Sequence, residues 1–295
     1  MHRNRLPKNK IKIIFELSKL RITQFITLST ASGYLLAKKE FSPEIFPPVF
    51  GIFFMACGSA ALNQFQEHQK DALMRRTKNR PIPSGRISPK TALIIALVLL
   101  MIGLIILFTA TNITALSLGI LTVIWYNGVY TYLKRVTPLA VIPGSLIGAL
   151  PPLVGWASSG KSIFSIQSMA LAFFFFIWQI PHFWLLLLNF GQDYENAGYP
   201  ALTSILSTTQ LGRLTFIWIV MTATVLVVLP FFGLGQSTLV FLLLLITSIS
   251  LIIKSLKLLK ASSQDFSFRP AFRTINLFII AAMFLLTLDR LIYKG

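Results

Sequence analysis

The 295-residue chain is 55% hydrophobic and 12% charged, with a mean hydropathy of +0.72. A soluble domain of this length carries about twice that charged share, so a water-soluble globule is excluded, and with it a basic nucleic-acid-binding face as the reason for the net charge of +18. The one cysteine, Cys57, lies inside an apolar run and leaves no disulfide framework and no cysteine-based metal centre.

The chain opens on a basic arm, residues 1–20, with no cleavable signal pattern; a single membrane domain is expected over 21–295. Nine apolar runs are long enough, at ~1.5 Å per helical residue, to cross a ~30 Å hydrocarbon layer. They cover 21–37, 47–66, 91–110, 113–131, 138–157, 166–189, 213–233, 237–255 and 271–292. The expected fold is therefore all-α, a polytopic bundle of nine transmembrane helices. The first run, RITQFITLSTASGYLLAK, is rich in Thr and Ser and is predicted to face other helices or a cavity. In the fifth, Pro151 and Pro152 are predicted to break the span, while Gly144 and Gly148 allow helices to approach closely.

Charge alternates between the connections. Counting the arm and every second connection, 22 of the 27 Lys and Arg residues fall on one side. The positive-inside rule then places the N-terminus in the cytoplasm and the C-terminus outside. Of nine acidic residues, Glu67, Asp71, Asp193 and Glu195 all lie on that cytoplasmic side, at the ends of the second and sixth runs. Charge near a membrane is costly, so this grouping points to a site, although Glu195 alone is explained by neutralising nearby cations.

In NQFQEHQKDALMRRTKNRP (63–81), Asn63, Glu67 and Asp71 follow at four-residue intervals. If the second helix continues through residue 71, all three project from one face over ~12 Å. Three oxygen-bearing groups suit Mg²⁺, which takes one or two carboxylates and completes its shell with water and phosphate oxygens. The cations that follow can meet a polyphosphate. Asn189 and Asp193 repeat the spacing in LLLLNFGQDYENAGYP, but Ala197 leaves the repeat incomplete. Two such faces can hold a diphosphate between metal ions. His182, between Trp178 and Trp184 in WQIPHFW, is either a site residue or a hydrogen-bonding partner of a neighbouring helix.

The run N-x3-E-x3-D-A-x-M-x-R-T-x-x-R-P resembles the first aspartate-rich motif of the UbiA-type intramembrane prenyltransferases. With YTYLKRVTPLAVIPGSLIGALPPLVGW (130–156) and WQIPHFWLLLLNFGQDYENAGYPAL (178–202), it is similar, more narrowly, to the protohaem IX farnesyltransferases (haem O synthases). The three blocks keep their order, and the resemblance spans residues 15–290. It implies a helical bundle around a central cavity open laterally to lipid, and an activity that moves the farnesyl group of farnesyl diphosphate onto the 2-vinyl group of haem b with addition of water. Such a protein is Mg²⁺-dependent and multi-pass; a bacterial cell inner membrane is the expected location. A downstream haem-modifying enzyme or an oxidase assembly factor is the expected protein partner, and nucleic acid is not.

Carried onto this chain, the resemblance gives Asn63, Glu67, Asp71 and Asp193 catalytic roles, with Glu67, Asp71 and Asp193 as metal ligands. Arg75, Arg80, Lys134 and Arg135 are the expected diphosphate contacts, with Lys70 beside them; Lys70, Arg76 and Lys78 serve equally as headgroup anchors. Tyr130, Trp178, His182, Asn189 and Tyr194 are candidates for the haem and prenyl pocket. Glu67 stands where the motif usually has Asp, which lengthens that ligand by one methylene. Ala197 stands where the wider superfamily has a second acid, which argues against a quinone-type acceptor. A transporter, the reading from another class, would place acids nearer the bilayer midplane.

Overall fold

A computed structural model describes residues 10–260 and 267–293, and every regular element among them is helical. The predicted cytoplasmic cations Arg3, Arg5 and Lys8, and Lys294 on the other side, lie outside the described residues. A short helix, α1 (Lys10–Leu17), buries Ile13 and Leu17 and exposes Ile11 and Phe15. The bundle follows as α2 (Leu20–Lys38), α3 (Phe46–Leu73), α4 (Pro89–Ala110) and α5 (Ile113–Val123). A π-helical stretch, Ile124–Tyr130, joins α5 to α6 (Thr131–Leu133). The remaining helices are α7 (Val141–Gly144), α8 (Leu146–Ser158), α9 (Ile166–Asn196), α10 (Thr208–Val228), α11 (Thr238–Ser255) and α12 (Arg269–Ile292).

The helix starts are written locally. Ser88 accepts from the Thr91 N–H ahead of Pro89, Asn112 from Ala115, and Ser165 from Ser168. Ser207 and Gln210 form a capping box at α10. The start of α11 is capped from elsewhere: Asp289 on α12 accepts from the Gln236 and Ser237 N–H groups at 2.6 and 3.0 Å.

Among the described residues, eight helices are long and apolar enough to cross a membrane, where nine crossings are expected. The shortfall is α2, 19 residues long, whose composition is diluted by Ser and Thr. Those hydroxyls are placed inside the bundle: Ser29 donates to the Ile26 carbonyl, Thr27 to Thr23, and Ser32 pairs with Thr287 of α12. At the outer helices the logic is reversed. Ile94, Leu97, Val98, Met101, Ile105 and Phe108 of α4 are exposed, as lipid-facing residues are, while Ala92, Ala96, Gly103 and Leu107 form its inward stripe.

Two glycines set the closest crossing. A Cβ on Gly33 of α2 would lie 2.0 Å from the Pro152 carbonyl oxygen, and one on Gly155 of α8 would lie 1.9 Å from that of Thr30. Gly144 and Gly148 admit side chains instead, Tyr130 and Gln179 respectively. The fifth span is interrupted between α7 and α8, at Ser145, rather than at Pro151 and Pro152, which stand inside α8. The sixth kinks at Phe190 (φ −136°, ψ 16°), one residue past the expected end of the run.

Candidate active site

Helix α3 does not stop with its apolar run. It continues to Leu73 and carries Asn63, Glu67 and Asp71 on one face, each at most 4% exposed. The shared face is visible in the bonds: Asn63 Nδ2 donates to Glu67 Oε2 at 2.9 Å and to Thr131 Oγ1 at 3.1 Å. Buried carboxylates demand partners. Lys134 Nζ lies 2.6 Å from Glu67 Oε2, and Tyr199 OH donates to Glu67 Oε1 at 2.8 Å. Arg80 lies 2.7 Å from Asp71 Oδ2, and the Asp71 carbonyl accepts from Thr77 Oγ1 at 2.8 Å.

A third cation reaches the same face. Lys19 sits at the elbow between α1 and α2 in a left-handed conformation (φ 47°, ψ 50°), and its Nζ donates to Asn63 Oδ1 at 3.0 Å. The elbow is tied down: Gln64 donates to the Glu16 and Leu17 carbonyls, and Arg86 pairs with Glu16 at 2.6 Å, which holds the Glu16 carboxyl below its usual range. Burial, and then the Arg80 charge, lower the Lys19 ammonium to about 7. Burial and the neighbouring Glu67 carboxylate push the Tyr199 phenol upward.

The second acidic stretch closes over the first. The short helical segment after the Phe190 kink brings in Asp193, whose Oδ2 accepts the Arg76 backbone N–H at 3.1 Å. The Arg76 guanidinium lies 5.2 Å from the Phe190 ring and 3.4 Å from Tyr194 OH. Lys70 Nζ donates to the Ala197 carbonyl at 2.7 Å and lies over the Tyr199 ring. A cavity of about 60 Å³ opens beside these groups, lined by Tyr130, Lys134, Phe183, Leu187, Tyr194 and Tyr199 among others. Tyr130 stacks on Tyr126, with Lys134 Nζ 5.5 Å from its ring.

Of the sequence-predicted residues, Asn63, Glu67, Lys70, Asp71, Arg80, Tyr130, Lys134, Asp193 and Tyr194 gather here. Arg75 does not: it is exposed and makes no hydrogen bond or ion pair among the described residues. Beyond Leu73 the chain turns extended at Met74 (ψ 132°), so helical spacing no longer applies, and it is the exposed Arg76 that reaches Asp193 and Tyr194. Arg135 donates to the Gln66 carbonyl at 2.9 Å, but its buried Nε has no partner. The Phe190 kink separates Asn189 from Asp193, and the Asn189 amide folds back onto the Leu185 carbonyl. Trp178 is buried and donates to the Ile275 carbonyl of α12. His182, half-buried one turn further along α9, is bonded to Asn276.

Lys19, Arg76, Thr131 and Tyr199 join the site without a spacing signal. Tyr199 arrives through the turn at Gly198 (φ 69°), which no helical period marks.

The donor set can be tested against Mg²⁺. No cluster of three or more His, Cys, Asp or Glu suited to a metal occurs among the described residues. Glu67 and Asp71 nevertheless stand four residues apart with Asn63 between carboxylate and lysine, which fits an ion that uses one or two carboxylates and fills its shell from substrate phosphate and water. The residues fit such a shared site, not a closed protein cage.

The arrangement matches known proteins over nearly its whole length. The model of the UbiA prenyltransferase family matches residues 26–286. A protoheme IX farnesyltransferase from Oleidesulfovibrio alaskensis is 32% identical over 279 residues, 95% of this chain and 96% of that protein. One from Geobacter sulfurreducens is 36% identical over 212 residues, 70% of this chain and 76% of that protein. Among solved structures, a digeranylgeranylglyceryl phosphate synthase superposes with a TM-score of 0.76 at 16% identity, covering 96% and 99% of the two chains. A UbiA homolog from Archaeoglobus fulgidus bound to DMAPP and Mg²⁺ superposes with a TM-score of 0.67 at 14% identity, covering 92% and 98%. Motif, helical bundle and family match agree, and the chain belongs to the UbiA prenyltransferase family.

Proposed function

We propose that this membrane prenyltransferase moves the farnesyl group of farnesyl diphosphate onto the 2-vinyl group of haem b, with addition of water, to give haem O and diphosphate. The relatives that match over most of the chain bear the name of that activity. The observation that carries the reading is the charge balance at the polar cap. Two buried carboxylates, Glu67 and Asp71, face three cations, Lys19, Arg80 and Lys134. Such a site offers cations to a polyanion, with Lys19 gaining its full charge as the anion binds, and carboxylates ready to share a metal with it.

In the reaction the farnesyl C1–O bond breaks and its electron pair leaves with the diphosphate. The vinyl π electrons form the new bond to C1, and water adds to the resulting cation with loss of a proton. Lys134, Arg80 and Lys19 stabilise the departing charge, and such pre-placed groups act most strongly where water is excluded. Glu67, Asp71 and Asp193 would hold Mg²⁺, which when bound supplies Lewis-acid neutralisation of the leaving group. The stacked rings of Tyr126 and Tyr130 below the cap exclude water and present aromatic faces to an allylic cation. Relatives are bacterial, which supports placement in a bacterial inner membrane.

The roles are tested by measuring diphosphate release from farnesyl diphosphate. Asp71→Asn and Asp193→Asn are each expected to abolish turnover while the protein still inserts and folds, and chelation of Mg²⁺ to abolish it reversibly. Ordinary turnover in either variant would remove the carboxylates from the mechanism.

A further inference from the structure

Helix α1 carries two apolar faces where packing on the bundle needs one. At ~100° per residue its side chains divide into three sectors roughly a third of a turn apart. Ile13 and Leu17 form the first and pack with Ala61 of α3 and with Ala92 and Ala96 of α4. Ile11, Ile14 and Phe15 form the second and are 63%, 36% and 51% exposed. Lys12 and Glu16 form the third. A helix on a water-soluble surface hides one apolar stripe against the core. A helix lying in a membrane surface has lipid under a further apolar face and turns its charges to water.

The neighbours of the second sector show what covers it. Helix α1 packs at the first two turns of α4, beside the exposed Ile94 and Leu97, and the exposed Ile22 follows it on α2. Lys10, Lys12 and Arg21 are exposed around it. Residues 1–21 hold seven Lys and Arg against a single acid, Glu16. An apolar face ringed by cations, continuous with the lipid-facing side of the bundle, fits the boundary between acyl chains and anionic phospholipid headgroups.

The same helix is joined to the cap. Gln64 of α3 holds the Glu16 and Leu17 carbonyls, and Arg86 holds the Glu16 carboxylate. Lys19 stands two residues beyond the end of α1, and its left-handed backbone turns the chain into α2. Its Nζ donates to Asn63 Oδ1, and Asn63 in turn donates to Glu67. Any shift of α1 is therefore passed to the Lys19 ammonium within two residues.

We propose that α1 is an anchor embedded in the anionic bilayer surface on the side of the cap, and that this lipid contact holds the elbow that aims Lys19 at the diphosphate. The proposal rests on the cap as a diphosphate site and adds a dependence of that site on the surrounding phospholipid.

The test uses the full chain in nanodiscs of phosphatidylcholine, with or without phosphatidylglycerol. In a Cys57→Ser background, nitroxide labels are placed at Phe15→Cys and at Lys12→Cys and read by power-saturation electron paramagnetic resonance. The label at position 15 is expected to be relaxed by oxygen and shielded from a water-soluble nickel chelate, and the label at position 12 to show the reverse. Equal access of nickel to both labels places α1 in water and overturns the anchor. Coupling is read by calorimetric titration with farnesyl thiolodiphosphate, an unreactive analogue. An anionic surface by itself repels an anionic ligand, so tighter binding by the wild type in phosphatidylglycerol is the signature of the elbow. The Ile11→Ser/Phe15→Ser variant is expected to bind about tenfold more weakly, the scale of losing one hydrogen bond to a charged group. Both it and Lys19→Met should lose the gain from phosphatidylglycerol. A wild type weakened by phosphatidylglycerol, or a Lys19→Met protein that keeps the gain, overturns the coupling. A wild type that binds no analogue in either lipid would instead overturn the diphosphate reading of the cap, while the labels still decide the anchor.

Discussion

At the scale of single residues, Lys19 ties the site to pH. Its ammonium is lowered from 10.5 to about 7, chiefly by burial and then by Arg80. A lysine lowered on folding weakens the folded state wherever it must carry its charge: the full cost applies below pH 7 and is relieved as pH rises from 7 toward 10.5. Diphosphate acts in the opposite sense, since an anion beside Lys19 favours the charged form. Binding should therefore take up a proton above pH 7, and affinity should weaken as pH rises from there. Calorimetric titration of farnesyl diphosphate in two buffers of different ionisation heat measures that proton, and Lys19→Met should abolish the uptake. A Lys19→Met protein with the same uptake would separate Lys19 from the diphosphate. The sequence shows Lys19 only as one cation of a basic arm, because a left-handed elbow aims it, and nothing in the local pattern marks that elbow.

At the scale of elements, legibility follows the reach of helical periodicity. Asn63, Glu67 and Asp71 are readable as one face because α3 continues unbroken through them. Arg76 rather than Arg75 reaches Asp193 and Tyr194 because the helix ends at Leu73, and the helix kinks between Asn189 and Asp193. The tightest helix crossing was also hidden: Gly144 and Gly148 accommodate side chains, whereas Gly33 and Gly155 bring the backbones of α2 and α8 together. A methyl group at Gly155 must displace the Thr30 carbonyl, so Gly155→Ala should cost about 1–3 kcal/mol, the usual scale of overpacking. Gly160→Ala, in open space, has only the strain of φ 79° to answer for and should cost less. Thermal unfolding of both variants in detergent checks the order; equal losses would contradict the crossing.

For the whole molecule, the sequence makes the helical membrane class plain, because apolar length survives any error in boundaries. The weakest predicted span, 21–37, falls on α2, whose Ser and Thr residues bond inside the bundle and lower its hydropathy. The 22 cations grouped on one side predict an orientation with the N-terminus in the cytoplasm. In a Cys57→Ser background, Arg76→Cys should be labelled from the cytoplasmic side by a membrane-impermeant thiol reagent, and Lys161→Cys from the opposite side. The reverse labelling would invert the topology and move the cap away from cytoplasmic farnesyl diphosphate. The acceptor is the least legible feature, because a pocket for an apolar acceptor is lined by residues that leave no fixed spacing in a sequence. The most direct measurement is mass-spectrometric analysis of products from purified protein given Mg²⁺, farnesyl diphosphate, and haem b or a phenolic acid. Haem O formed from haem b, with the phenolic acid untouched, is the predicted result; a prenylated phenolic acid and unchanged haem b would contradict the account.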